Sequence, residues 1–213
     1  MTTRLTVAWL VEHGLVSTRD RAPESAPQNT MEISSAMVFD VAVIALLDAA
    51  KKAGFDTAAL PCLILVEPTA WPALRKLIEE APGFRKNEAL HKLVEQMELR
   101  KAGSATFPVD RGKLSLHVQA LTKAAQPQIG AILPGCAGVL VWIEKADGVE
   151  LAQTIVQRLD ATGGRASGML VAGTAAVQKE AERLTDGSRR WRTSPHAPKS
   201  LLGLFRLLEP EIR

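Results

Sequence analysis

The hydrophobic pattern is clearest in the second half of the chain, where two continuous apolar runs flank an amphipathic segment. The runs at 138–144 and 169–173 are typical of strands that are buried on both faces of a sheet. Between them, Leu151, Ile155 and Leu159 recur at helical spacing. A strand, a helix and a second buried strand in this order predict a βαβ unit with parallel strands.

The first half shows the same pattern less regularly. The run at 62–66 predicts a third buried strand. The segment 113–118 alternates as a half-exposed strand does, and a helix through Ala125 is the alternative. Helical spacing predicts one helix at about 35–53 and another at 87–101, with Gly103 ending the second.

Together these elements predict an α/β fold, with a mostly parallel open sheet and helices on both faces in three layers. We expect one domain over 1–213. Within it, 5–11 alternates as an N-terminal edge strand, and 17–33 is polar and proline-containing, which predicts a flexible loop. The segment 187–213 is basic and ends in a short amphipathic helix that we expect to dock on the sheet.

Composition indicates an ordinary globular protein with an aliphatic core. Hydrophobic residues make up 46% of the chain and charged residues 23%, with only five phenylalanines, four tryptophans and no tyrosine. This is enough apolar material to form a folded domain. Cys62 and Cys136 lie far apart among apolar or small residues, which predicts two buried thiols and no disulfide framework.

The most apolar stretch does not predict a membrane span. It covers 36–50 and contains Asp40 and Asp48, whose charges are costly inside a bilayer. The apolar run at the N-terminus is short and meets Glu12 and His13, unlike a signal peptide. We therefore expect a cytoplasmic protein.

Motifs that mark catalytic or cofactor sites are not found in the sequence. Gly112 precedes Lys113, but the second glycine and the Ser or Thr of a phosphate-binding loop are missing, and the glycine-rich 162–168 precedes a predicted strand. The four histidines have no paired spacing and no cysteine nearby, so no metal site is predicted. No cofactor is expected, and the sequence favours a protein that is not an enzyme.

Two segments resemble a known family through their strand and helix patterning. Residues 138–159 and 168–184 are similar to the C-terminal half of deviant-Walker partition-type ATPases. The resemblance implies a nucleotide-binding loop near the N-terminus, and no stretch of this sequence matches that loop.

Polar side chains follow three of the predicted strands where each strand ends. Glu67, Glu144 and Thr174 come after apolar runs, and Lys145 lies beside Glu144. Open α/β sheets bind ligands beyond the carboxyl ends of their strands. If the strands are neighbours, paired carboxylates divide acid and base roles or hold Mg²⁺. The alternative, which we favour, is that polar residues resume where a buried strand reaches water.

A basic segment near the C-terminus is the second candidate site. Six lysines and arginines lie in 183–206 against a single carboxylate. Arginine and tryptophan suit both nucleic acid and protein interfaces, and a solvated edge strand is the third alternative. The candidate partner-binding residues are Arg189, Arg190, Trp191, Arg192, His196 and Lys199.

The sequence therefore predicts a non-catalytic cytoplasmic protein that binds a macromolecular partner. We expect the partner to be a protein, bound by an adaptor, regulator or inhibitor. Two alternatives stay open, a nucleic-acid-binding protein that uses the basic segment and an enzyme that uses the carboxylates at the strand ends.

Overall fold

The computed structural model consists of strands interspersed with helices and describes residues 35–81, 83–110, 112–161, 166–194 and 196–209. The strands are β1 (Leu60–Val66), β2 (Ala102–Val109), β3 (Gly112–Ala120), β4 (Gly138–Ile143), β5 (Ser167–Ala172) and β6 (Trp191–Ser194). The helices are α1 (Ser35–Lys52), α2 (Trp71–Glu79), α3 (Glu88–Arg100), α4 (Gln126–Ile132), α5 (Ala146–Ala161), α6 (Ala175–Thr185) and α7 (Leu201–Leu207).

Within the described residues, six strands form one sheet in the order β2-β3-β1-β4-β5-β6. Every neighbouring pair is parallel except β2 and β3, which are antiparallel. The chain leaving β1 runs toward β2 and β3, whereas the chain leaving β4 runs toward β5 and β6. The connections therefore diverge between β1 and β4, which makes this gap the topological switch point. The predicted α/β fold with a mostly parallel sheet is confirmed.

The central strand β1 is buried because both of its faces are covered. Cys62, Ile64 and Val66 belong to one buried cluster, and Leu63 and Leu65 belong to a second. Successive side chains of a strand point to opposite faces, so the two clusters lie on opposite sides of the sheet. Helices α1, α2, α3 and α7 contribute to the first cluster, and α4, α5 and α6 contribute to the second. This explains why the apolar runs are continuous.

Strand β2 was not predicted, and the role predicted for Gly103, ending the helix before this strand, is wrong. Helix α3 ends at Arg100, close to the predicted position, and Lys101 is its C-cap with a left-handed φ of 58°, while Gly103 lies inside β2. A Cβ at Gly103 would come within 2.8 Å of the Leu93 carbonyl oxygen, so glycine allows β2 to pass close to α3. Pro108 is compatible with β2 because β2 is an edge strand, where a missing amide hydrogen need not break a hydrogen bond to a neighbouring strand.

The C-terminal helix docks as predicted, since Leu201, Leu204 and Phe205 of α7 are buried in the first cluster. The predictions for 5–11 and 17–33 lie outside the described residues. In the part of the chain that is described, no helix is both long and apolar enough to cross a membrane.

The two cysteines are buried, as predicted. Cys62 lies in β1 and Cys136 lies just before β4, and both are free thiols. Burial raises the pKa of each thiol to about 12, so neither forms a reactive thiolate at neutral pH. They are part of the core.

Candidate functional site

The carboxyl ends of β1 and β4 meet at the switch point, and Glu67 and Glu144 follow directly. Val66 pairs with Trp142 in the parallel register, so the two carboxyl ends lie side by side. Glu67 is 7% exposed. Its Oε2 accepts hydrogen bonds from the backbone amides of Glu144 at 2.6 Å and Lys145 at 2.9 Å. One carboxylate therefore connects the ends of both strands.

The Glu67 carboxylate lies at the N-terminal end of α5, which begins one residue after Lys145. The backbone amides near a helix N-terminus carry a partial positive charge and need acceptors. Glu67 supplies such an acceptor from 78 residues away in the chain. The bond fixes the turn between β4 and α5 to the end of β1.

Gly148, in the first turn of α5, makes room for this contact. A Cβ at this position would lie 2.9 Å from Glu67 Oε2 and would also collide with the Ile143 side chain. Any larger residue would push the carboxylate away from the amides that hold it. The glycine and the glutamate therefore form one packed unit.

Glu144 and Thr174, which with Glu67 form what we call the rim of the sheet, also have hydrogen-bond partners within the chain. Glu144 Oε1 accepts a hydrogen bond of 2.9 Å from the indole nitrogen of Trp142, and the carboxyl group packs over Gly173, which has no side chain to obstruct it. Thr174 is the N-cap of α6, where its hydroxyl accepts from the Val177 amide at 3.4 Å. The three predicted rim residues lie at neighbouring strand ends, and each has a partner within the chain.

The turn that follows β1 also uses its backbone amides internally. In nucleotide-binding α/β proteins, a glycine-rich turn before a helix offers such amides to phosphate. Here the amides of Ala70 and Trp71 donate to the Glu67 carbonyl oxygen at 2.8 and 3.2 Å. Pro68 and Pro72 have no amide hydrogen. The turn has few donors left for a phosphate.

Metal ligands are not gathered in the described part of the chain, where no three His, Cys, Asp or Glu side chains form a group able to hold an ion. His117 lies in β3 directly opposite Ser104, and burial lowers the pKa of its imidazole. His91 packs against the Phe84 ring at a centroid distance of 4.2 Å.

The structure corrects the prediction for Trp191, which is 2% exposed and lies in the second buried cluster. It begins β6 and pairs with Gly168 of β5. A Cβ on Gly168 would overlap the indole ring, so the glycine admits the ring against the sheet. The indole is part of the core because side chains alternate between the two faces of β6, and residue 191 points inward. It does not lie on a surface where a base or a partner would contact it.

Arg190 is half-buried and is held within the chain, and the other cations of the segment are exposed. Its guanidinium donates a 2.7 Å hydrogen bond to the Leu159 carbonyl oxygen near the C-terminal end of α5, a position where a cation is favourable. Four of the predicted partner-binding residues are exposed, and we call them the basic edge: Arg189, Arg192, His196 and Lys199. Arg189 and Arg192 also take part in interactions within the chain.

Neighbouring side chains accept hydrogen bonds from backbone amides of both outer strands of the described sheet. Ser188 Oγ accepts from the Trp191 amide of β6 at 3.2 Å. On the opposite edge, Gln96 Oε1 accepts from the Ser104 amide of β2 at 2.9 Å, and Pro108 has no amide hydrogen. Such devices oppose pairing with an added strand. A partner at either edge is therefore expected to bind through side chains.

No protein-family model matches this chain, and no curated protein matches it. The resemblance of 138–159 and 168–184 to partition-type ATPases gains no support from these comparisons.

Proposed function

We propose that the protein acts by binding a macromolecular partner and performs no chemistry at the ends of its strands. The observation that carries this proposal is the position of the Glu67 carboxylate. It lies at the switch point, where open α/β sheets bind small molecules, and it is held by two backbone amides. A catalytic carboxylate has to reach a substrate, and this one is buried against its own chain.

The basic edge supports a partner with an acidic protein surface. Its exposed cations include two guanidinium groups, which pair with carboxylates in a two-pronged geometry. Single-stranded nucleic acid gains affinity by stacking on exposed aromatic rings, and the tryptophan of this segment is in the core. Under the proposal, the protein is a cytoplasmic adaptor, regulator or inhibitor, and its free buried thiols fit a reducing compartment.

A charge-reversal experiment tests this proposal. The test variant replaces Arg189, Arg192 and Lys199 by Glu and leaves Arg190 unchanged because it supports the fold. The matched control replaces three exposed lysines elsewhere by Glu, namely Lys86, Lys92 and Lys123. We expect an isolated partner to bind the wild type and the control equally, and to bind the test variant at least about tenfold more weakly, with affinity falling as salt rises.

Three results would contradict the proposal. Equal binding of both variants would remove the basic edge as the partner surface. Loss of binding after nuclease treatment would favour nucleic acid. Turnover of a small molecule by the wild type, abolished by Glu144→Gln, would favour an enzyme at the rim.

A further inference from the structure

The crevice between β1 and β4 has the features of an anion-binding site, and the anion belongs to the chain. Two consecutive backbone amides, of Glu144 and Lys145, converge on one oxygen of Glu67. Consecutive amides that converge in this way form a concave site for anions in proteins. Helix α5, 16 residues long, starts beside them and adds its positive dipole end.

The shape of the crevice fits a carboxylate group. Glu67 is more than nine-tenths buried, and Gly148 leaves the space that the carboxyl group occupies. The buried side chain of Ile143 lies beside the same space. Removing the side chain of Glu67 beyond Cβ deletes one methylene and one carboxylate, which together have the size and charge of an acetate ion.

The charges around the crevice favour a small anion with a single charge. Glu144 and Asp147 place carboxylates near the N-terminal end of α5, and Lys145 is the adjacent cation. A doubly charged phosphate would be repelled by both carboxylates more strongly than a monocarboxylate.

We infer that the switch point is a carboxylate-binding site whose ligand is tethered, namely the side chain of Glu67. The site is complete in the native protein and closed to free ligands. This inference rests on the proposed function, in which Glu67 lies at the switch point and no chemistry occurs there. It adds the class of ligand that the crevice binds, a small monocarboxylate.

The test is chemical complementation of Glu67→Ala by acetate. The melting temperature is measured for this variant, for the wild type and for Glu98→Ala, with sodium acetate compared against sodium chloride at equal ionic strength. Glu98 is a matched control because its carboxylate also accepts two hydrogen bonds, from Trp71 and Arg75, but is exposed. We expect about 100 mM acetate to raise the melting temperature of Glu67→Ala by about 3 °C beyond chloride. The other two proteins should respond equally to both salts.

Two outcomes of this test would overturn the inference. The first is a folded Glu67→Ala that responds to acetate and chloride alike, and the second is a wild type that acetate stabilises as much as the variant.

If Glu67→Ala does not fold, the amide resonances of the wild type and Glu67→Gln are compared. The Glu144 and Lys145 amide protons should move upfield in the glutamine variant, because a neutral acceptor replaces a carboxylate. Unchanged resonances would overturn the inference.

Partner binding is measured on the same proteins. A failure of acetate complementation with retained binding refutes the tethered ligand alone, and equal binding by the charge-reversed basic edge refutes the proposed function alone.

Discussion

The rim of the sheet and the basic edge both carry polar side chains typical of functional sites, but the rim buries a charged group and the basic edge buries an aromatic ring. At the rim, the carboxylate of Glu67 is buried and held by backbone amides. At the edge, the aromatic ring of Trp191 is buried and the cations Arg192 and Lys199 stay exposed. The charged group at the rim is therefore enclosed by the fold, whereas the cations at the edge stay on the surface.

The difference follows from where each group lies relative to the sheet. A residue between two strand ends faces orphan amides at a helix N-terminus, so a carboxylate there gains partners when water is excluded. A residue on an edge strand alternates between core and solvent, and the core side favours the indole. The most conspicuous side chain in a sequence motif is thus not always on the surface.

Trp191→Ala should have the largest effect on stability, a loss of about 4 kcal/mol, because it leaves a large cavity in the core. Urea unfolding measures this loss. The half-exposed Trp71 provides the control, and Trp71→Ala should cost less. A loss of stability at Trp191 no larger than at Trp71 would indicate that the Trp191 indole is not buried. The two regions would then no longer differ in this respect.

Glu67→Ala should cost about 3 kcal/mol, because it leaves the two amides at the start of α5 without their acceptor. The same unfolding experiment applies, and partner binding should be retained. Unfolding free energies that match the wild type would mean that Glu67 does not fix the turn between β4 and α5.

Gly148→Ala should cost about 2 kcal/mol, since the added methyl group is forced against Glu67 and Ile143. Gly135→Ala is the control, as a Cβ there meets no atom within 4 Å. Equal stability of the two variants would show that the crevice is looser than described.

The buried thiols should make stability fall in alkaline solution. Burial raises the pKa of Cys62 and Cys136 from 9.0 to about 12 in the folded state, so the unfolded chain loses these protons first. Stability from the buried thiols is full below pH 9 and is lost as pH rises toward 12, by about 1 kcal/mol for each thiol between about pH 9 and pH 10. A variant with alanine at both positions should lose less stability over this interval. An equal loss in wild type and variant would contradict the burial of the thiols.

Reversal of Arg189, Arg192 and Lys199 should have the smallest effect on stability, about 0.5 kcal/mol for each substitution, because interactions of exposed side chains contribute little to folding. The control reversal at Lys86, Lys92 and Lys123 should behave alike in urea. A large loss confined to the basic edge would show that its cations hold the fold together, as Arg190 does, and would weaken its assignment to a partner.

The sequence predicted the elements that local pattern determines. The buried strands follow from continuous apolar runs because both faces of the sheet are covered. The caps of α6 and α7, Thr174 and Ser200, are local signals too, although the prediction did not use them. Strand β2 was missed because Gly103 and Pro108 interrupt its alternation, and its place at the edge, which accepts both, is a property of the tertiary fold.

The structural roles of the candidate site residues were beyond reach of the sequence. The sequence placed Glu67 and Glu144 at strand ends, but their contact joins positions 77 residues apart and depends on strand order. The direction of Trp191 depends on pairing with Gly168, and a strand of four residues has too short an alternation to reveal it. No local signal marks Gly148 as the residue that admits a carboxylate.

The central claim is that the chain's own carboxylate closes the switch point to small molecules. Its most direct test is a titration of the isotope-labelled wild type with magnesium ATP, and then magnesium GTP, followed at the amides of Ala70, Trp71, Glu144 and Lys145. We expect no saturable shift at these amides up to about 5 mM, where even a millimolar ligand is mostly bound. Saturable shifts at these amides would contradict the account.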